Sequence, residues 1–154
     1  MRAFLQRRLA DPLMTLLRQG VTPREIALCL ALGTVIGLIP ILGVSTALCA
    51  LMALLLRLNM PAIQIVNYLL TPLQLMLIIP LLRFGEHLAG APPYPVTLES
   101  GLTLLSQGVI DAIRILASAI AHATLGWLVL APPLAFALFR VLEPFLRQLR
   151  QGLR

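Results

Sequence analysis

Three long runs of apolar residues without a charged side chain determine how the chain is organised. They cover Ile26 to Leu56, Pro61 to Leu82 and Ile115 to Phe139, which are 31, 22 and 25 residues long. About 20 apolar residues in a helix cross the hydrocarbon layer of a membrane. The second and third runs therefore predict two transmembrane helices, whereas the first is too long for one straight span.

Helix breakers lie at the centre of the first run. Residues 37–43 read Gly-Leu-Ile-Pro-Ile-Leu-Gly, and both glycine and proline interrupt helices. The pattern predicts a broken or re-entrant helix pair, with two short full spans as the alternative. Just before the run, Thr22, Pro23 and Glu25 have the spacing of a helix start, in which Thr22 and Glu25 form reciprocal hydrogen bonds.

The composition agrees with a membrane protein. Of the 154 residues, 59% are hydrophobic and 12% are charged, and the mean hydropathy is +0.94. A soluble domain has about 25% charged residues, so an ordinary soluble enzyme, a disordered chain and a disulfide scaffold are excluded. Cys29 and Cys49 lie inside the first run without paired spacing. We therefore predict an all-α, polytopic integral membrane protein with a broken or re-entrant helix pair plus two fuller transmembrane helices.

The few charges predict how the chain is oriented. All twelve basic residues are arginine. The net charge is +3 before the first run, +1 at Arg57, −1 over residues 83–114 and +3 after residue 139. Basic segments favour the cytoplasmic side. A first run that doubles back places both termini and Arg57 in the cytoplasm, whereas a single crossing would place the C-terminal arginines outside.

The remaining segments complete a single membrane domain over residues 1–154. In residues 1–21, apolar residues lie among the arginines at spacings close to one helical face. This pattern predicts an interfacial helix on an anionic leaflet. Residues 87–114 are predicted as an outer loop and a surface helix, residues 115–139 as the last span, and residues 140–154 as a basic cytoplasmic tail.

Small and polar residues within the runs are the candidate functional positions. Gly33 and Gly37 form a GxxxG pair, which is typical of close helix packing in lipid. After the break, Gly43, Ser45 and Thr46 begin a new half-helix whose first amides need partners in the membrane. Two interpretations remain open, namely that Ser45 and Thr46 cap this helix, or that it forms a site for an ion or a lipid headgroup.

Polar side chains in the second run follow a helical spacing. Gln64, Asn67, Thr71 and Gln74 lie on one face, and polar residues in a membrane helix usually point to the interior of the bundle. They indicate either hydrogen bonds between helices or a polar pathway or headgroup groove.

The sequence contains none of the common catalytic or metal-binding motifs. No Asp or Glu lies in the three runs, so His87 and His122 lack the acidic partners that a proton relay requires. We expect no enzymatic activity, no metal, no cofactor and no nucleic-acid partner.

Several spaced motifs resemble the prokaryotic domain-of-unknown-function family 2062, over a core predicted at residues 22–86. The matching segments are Thr22 to Ala27, Ala31 to Gly33, Gly37 to Pro40, Gly43, Arg57 to Pro61, Asn67 to Gln74 and Arg83 to Glu86. The resemblance implies a bacterial inner-membrane protein, with a link to envelope lipid or glycan metabolism by association.

These observations lead to one functional expectation and one alternative. We expect a non-enzymatic binding or transport module for an anionic lipid or another envelope substrate, in contact with the bilayer and its anionic phospholipid headgroups. The alternative is a structural or assembly subunit that packs against a second copy or another membrane protein. The candidate binding residues are Pro40, Gly43, Ser45, Thr46, Arg57, Asn59, Asn67, Thr71 and Gln74.

Overall fold

The computed structural model describes residues 22–41, 43–93 and 109–151, and in these ranges the chain forms five α-helices and no strand. The helices are α1 (Pro23–Gly37), α2 (Val44–Leu56), α3 (Met60–Leu69), α4 (Thr71–Ala89) and α5 (Val109–Gln151). The all-α prediction is confirmed for the described residues. The predicted interfacial helix at 1–21, residues 94–108 of the predicted outer loop and residues 152–154 of the predicted tail lie outside them.

The first helix begins where the sequence predicts. Oγ1 of Thr22 accepts a hydrogen bond from the Glu25 amide at 3.2 Å, and Oε2 of Glu25 accepts one from the Thr22 amide at 2.8 Å. This reciprocal cap satisfies donors that would otherwise lack a partner. At the other end, the amides of Leu38 and Ile39 bond to carbonyls three residues back, and the chain leaves the helix. The first uncharged run is therefore two helices, as predicted.

The second uncharged run, predicted as one span, is a bent pair of helices. The axes of α3 and α4 differ by 60° across Leu70, whose amide bonds to the carbonyls of Val66 and Asn67. Pro72 lies in the first turn of α4. Proline has no amide hydrogen, and its ring clashes with the carbonyl four residues earlier, here that of Tyr68. A continuous helix through this point is therefore disfavoured.

The last helix is much longer than the uncharged run that predicts it. α5 has 43 residues, which gives a length of about 64 Å at 1.5 Å per residue. It includes the end of the predicted surface helix and most of the predicted tail, so residues 115 and 139 mark changes in charge and not helix ends. Among the described helices, α5 alone is long and apolar enough to cross a membrane, and α3 with α4 would be a second span if the bent pair crosses as one.

α5 packs against two of the other helices, α4 and α1. Its first half packs against α4, where Leu81 and Leu82 contact Ala123. Its second half packs against α1, where Ile26 and Ala27 contact Leu146. Both neighbours run antiparallel to α5. As a result, α1 begins beside the end of α5 and ends beside its middle.

Glycine permits the close crossing of α4 and α5. A Cβ atom added to Gly85 would overlap the carbonyl of His122, and one added to Gly126 would lie 2.5 Å from the carbonyl oxygen of Leu81. Because the obstacle is backbone, a larger side chain would force the two helices apart.

We expect Gly85→Ala to destabilise the protein by about 1–3 kcal/mol, the usual range for overpacking. Thermal unfolding in a mild detergent measures this effect. Ala121→Leu, which enlarges an exposed residue of α5, is the control and should leave the midpoint nearly unchanged. An unchanged midpoint in Gly85→Ala would contradict the close crossing.

Candidate functional site

The turn between α1 and α2, described at residues 38–41 and 43, is the tip of a helical hairpin. Leu38, Ile39 and Pro40 are buried. Gly43 precedes α2 with a φ of 86°, a conformation that side chains with a Cβ rarely adopt. A Cβ there would meet no atom within 4 Å. The turn therefore requires glycine for its backbone conformation and leaves open space beside it.

α3 packs directly against α1 below this tip. A Cβ on Gly33 would lie 3.0 Å from the carbonyl oxygen of Ile63 and from Cβ of Val66. A Cβ on Gly37 would lie 3.2 Å from Cα of Asn67. The two glycines predicted for helix packing thus lie where α1 and α3 approach most closely, within a single chain.

Each of the helices α3, α4 and α5 donates one side-chain N–H to a carbonyl of the hairpin. Nε2 of Gln64 donates to the Thr46 carbonyl at 2.9 Å. Nε2 of Gln74 donates to the Ile39 carbonyl at 2.6 Å, and the indole Nε1 of Trp127 donates to the Val35 carbonyl at 2.9 Å. Val35 lies in the last turn of α1 and Ile39 lies beyond it, where carbonyls have no partner within the helix. Gln74 and Trp127 therefore hold the tip in place, and Gln64 joins α3 to the first turn of α2.

Asn67 extends the same network. Its Nδ2 donates to Oγ1 of Thr46 at 3.4 Å and to Oε1 of Gln64 at 3.3 Å. Asn67 and Gln74 are each 3% exposed, and no buried side-chain nitrogen or oxygen in the described ranges lacks a hydrogen-bond partner. Of the four polar residues predicted on one face, three bond within the bundle, and half-buried Thr71 begins α4. Their geometry favours the interpretation that they join the helices.

The amino-terminal end of α2 lacks the side-chain partners that the hairpin carbonyls have. No side chain caps it, and Gly43 and Val44 are exposed. Ser45, one of the two predicted caps, is buried at 6% exposure, and the hydroxyl of Thr46 instead accepts from Asn67. In the described residues, side chains from three helices donate to carbonyls of the hairpin, whereas no side chain caps the start of α2.

The candidate residues separate into two groups. Pro40, Gly43, Ser45, Thr46, Asn67, Thr71 and Gln74 surround the tip. Arg57 and Asn59 lie at the opposite end of α3, whose ten residues span about 15 Å. Exposed Arg57 ends α2 with a left-handed φ of 52°, and Oδ1 of Asn59 caps α3 by accepting from the Ala62 amide at 2.9 Å. One ligand headgroup does not contact both groups.

Two further residues were missed by sequence reasoning. Trp127 joins the tip to α5 across 92 positions, and no local pattern reveals such a contact. Glu86 was assigned no role beyond the family motif, but it is 4% exposed within α4. Its Oε2 lies 2.8 Å from Nη1 of Arg83, a pair that the three-residue spacing could have predicted.

The described residues contain no group of three His, Cys, Asp or Glu placed to hold a metal ion. The cysteines Cys29 and Cys49 are buried and unbonded to each other.

The helical architecture and the apolar composition define a small all-α protein with at least one helix suited to crossing a membrane. The chain belongs to the family described as "Uncharacterized protein conserved in bacteria (DUF2062)", whose model matches residues 6–152. The resemblance inferred from residues 22–86 is confirmed, and the family extends over nearly the whole chain. No curated protein and no solved structure matches it.

We expect Gln74→Leu to lower stability by about 1–3 kcal/mol, because the buried carbonyl of Ile39 loses its donor. Thermal unfolding in detergent reports the loss. Gln148→Leu, at an exposed position of α5, makes the same chemical change and should have little effect. Equal stability of the two variants would show that the Gln74 bond does not hold the tip.

Proposed function

We propose that this protein is an integral protein of the bacterial inner membrane, with both termini cytoplasmic, and that it binds or transports an anionic lipid or a similar envelope substrate without chemistry of its own. In this proposal α1 and α2 form a re-entrant hairpin, and α5 and the bent pair α3–α4 cross the membrane. The binding residues are those at the open start of α2, with Arg57 and Asn59 contacting headgroups at the cytoplasmic surface.

The depth of the hairpin tip relative to the proposed span of α5 supports the re-entrant arrangement. Val35, in the last turn of α1, is bonded to Trp127, and residue 127 is the midpoint of the uncharged segment 115–139. If that segment crosses the bilayer, the tip lies near the midplane. α2 then returns 13 residues, or about 20 Å, to Arg57. The distribution of arginines described above agrees with this path.

The uncapped start of α2 is the observation that carries the binding proposal. Hydrocarbon offers no hydrogen-bond acceptor, and an unsatisfied amide there costs several kcal/mol. The amino end of a helix is also electrically positive. An exposed helix start without a side-chain cap at mid-membrane depth would therefore favour water or an anionic group beside its amides. Transport would require such a group to reach the tip from a membrane surface.

An assembly subunit is the second candidate. The outer face of α2 exposes Leu51, Leu54 and Leu55, at 49%, 70% and 67%. A partner protein could cover this face and supply acceptors to the same open amides. A stoichiometric protein that co-purifies in gentle detergent would favour assembly, whereas retained phospholipid would favour binding.

The topology can be tested by cysteine labelling in a background in which Cys29 and Cys49 are replaced by alanine. An impermeant maleimide should label Arg57→Cys only from the cytoplasmic side and Pro92→Cys only from the other side, because one full crossing separates them. Val44→Cys, at the tip, should resist labelling from both sides. Efficient labelling of Val44→Cys from the outside would instead support two short full spans.

Binding at the start of α2 can be tested with an acidic substitution. The carboxylate of Val44→Asp would lie in the first turn of α2, where it satisfies the free amides and repels an anion. We expect several-fold less anionic phospholipid per protein after purification in gentle detergent, measured by mass spectrometry. Val44→Asn has nearly the same size without the charge, so it should retain most of the lipid. Full retention by Val44→Asp would contradict the proposal.

A further inference from the structure

A basic cleft lies where α1 begins and α5 ends. It is open, has a volume of about 400 Å³, and is lined by Thr22, Pro23, Arg24, Arg147, Arg150 and Gln151. Three of these six residues are arginines, from two separate helices, and none is acidic. The cleft lies at the first turn of α1, whereas the tip follows the last turn of α1, at least 14 positions further along the chain, so the cleft does not belong to the site described above.

The two neighbouring carboxylates, Glu25 and Glu143, reduce the net charge of the three arginines to +1 but leave guanidinium N–H donors available to a ligand. Oε1 of Glu143 accepts a hydrogen bond from Nη2 of Arg147 at 2.6 Å, but the Arg147 side chain is 62% exposed. A guanidinium has five N–H donors, so Arg147 keeps several for a ligand. Glu25 is engaged by the Thr22 amide. The positive amino end of α1 adds to the field of the three arginines.

We propose that this cleft binds a phosphate group, carried by the headgroup of an anionic lipid in the cytoplasmic leaflet. Guanidinium groups bind phosphate oxygens in pairs, with a geometry that favours phosphate over chloride. Arg24 lies two positions before the uncharged run that starts at residue 26, and Arg147 lies eight positions after the run that ends at residue 139. The lipid assignment thus rests on the membrane placement proposed above, whereas the phosphate chemistry does not.

Calorimetric titration of the full-length protein in a mild, uncharged detergent tests the cleft. The probes are dihexanoyl phosphatidylglycerol, dihexanoyl phosphatidylcholine and inorganic phosphate. We expect phosphatidylglycerol to bind more tightly than phosphatidylcholine, and Arg24→Gln and Arg150→Gln each to weaken that binding about tenfold, as lost charge-assisted hydrogen bonds do. Added salt should also weaken it.

Arg140→Gln is the matched control for Arg150→Gln. It removes the same charge from the same helix, at an exposed residue whose guanidinium carbon lies 5.6 Å from the centre of the Phe136 ring. Binding should change by less than about twofold. Equal weakening by the two substitutions would assign the effect to overall charge and overturn the cleft, as would undiminished binding by Arg24→Gln and Arg150→Gln.

Glu143→Gln provides a test that misfolding cannot imitate. It removes the carboxylate that pairs with Arg147, so phosphatidylglycerol should bind several-fold more tightly. Unchanged binding would count against contact between Arg147 and the ligand.

Inorganic phosphate that binds as well as the lipid would support the phosphate site and assign its ligand to the aqueous phase. If phosphatidylglycerol does not bind in the titration but the purified protein still retains anionic phospholipid that Val44→Asp reduces, the cleft proposal is overturned and the proposed function is not.

Discussion

The carbonyls at the turn between α1 and α2 need hydrogen-bond donors inside an apolar structure, and the positions of the other helices depend on that need. α3 supplies Gln64, α4 supplies Gln74 and α5 supplies Trp127, each to a different backbone carbonyl of the hairpin. A side chain that donates to a buried carbonyl removes a cost of about 1–3 kcal/mol. Since each donor comes from a separate helix, loss of one bond would release one contact of the tip while two remain.

Close approach of the backbones makes these short bonds feasible. Gly33 and Gly37 bring α3 against α1, and Gly85 and Gly126 bring α4 against α5. In lipid, burial of apolar side chains contributes little to helix association, because hydrocarbon surrounds the helices in either state. If the helices lie in lipid, as proposed, tight packing and hydrogen bonds supply much of the stability, which would explain why glycine and amide side chains occur at the same contacts.

Local signals in the sequence were sufficient for some elements and not for others. The reciprocal cap at Thr22 and the break after Gly37 depend on neighbouring residues, and both were predicted. The bend at Leu70 was not, because Pro72 near a helix start is compatible with either a bend or a continued helix until packing decides. The candidate site also needed tertiary information. Sequence reasoning assigned Asn67 and Arg57 to one candidate binding site, whereas the length of α3 keeps the two residues apart.

The partnered carbonyls and the uncapped helix start of the tip are the reason for proposing an anionic ligand there. Acceptors at the tip already have donors from three helices, so a cationic ligand would find few free oxygens there. The start of α2 has no side-chain cap, so an acceptor would complement it. An anion is also proposed for the cleft beside Arg24, but there the reason is the formal charge of its arginines. α1 joins the two places, since it begins at the cleft and ends at the tip. Salt screens charges in contact with water more strongly than groups within a membrane. If both proposals hold, anion binding at the two ends of α1 should therefore differ in its dependence on ionic strength.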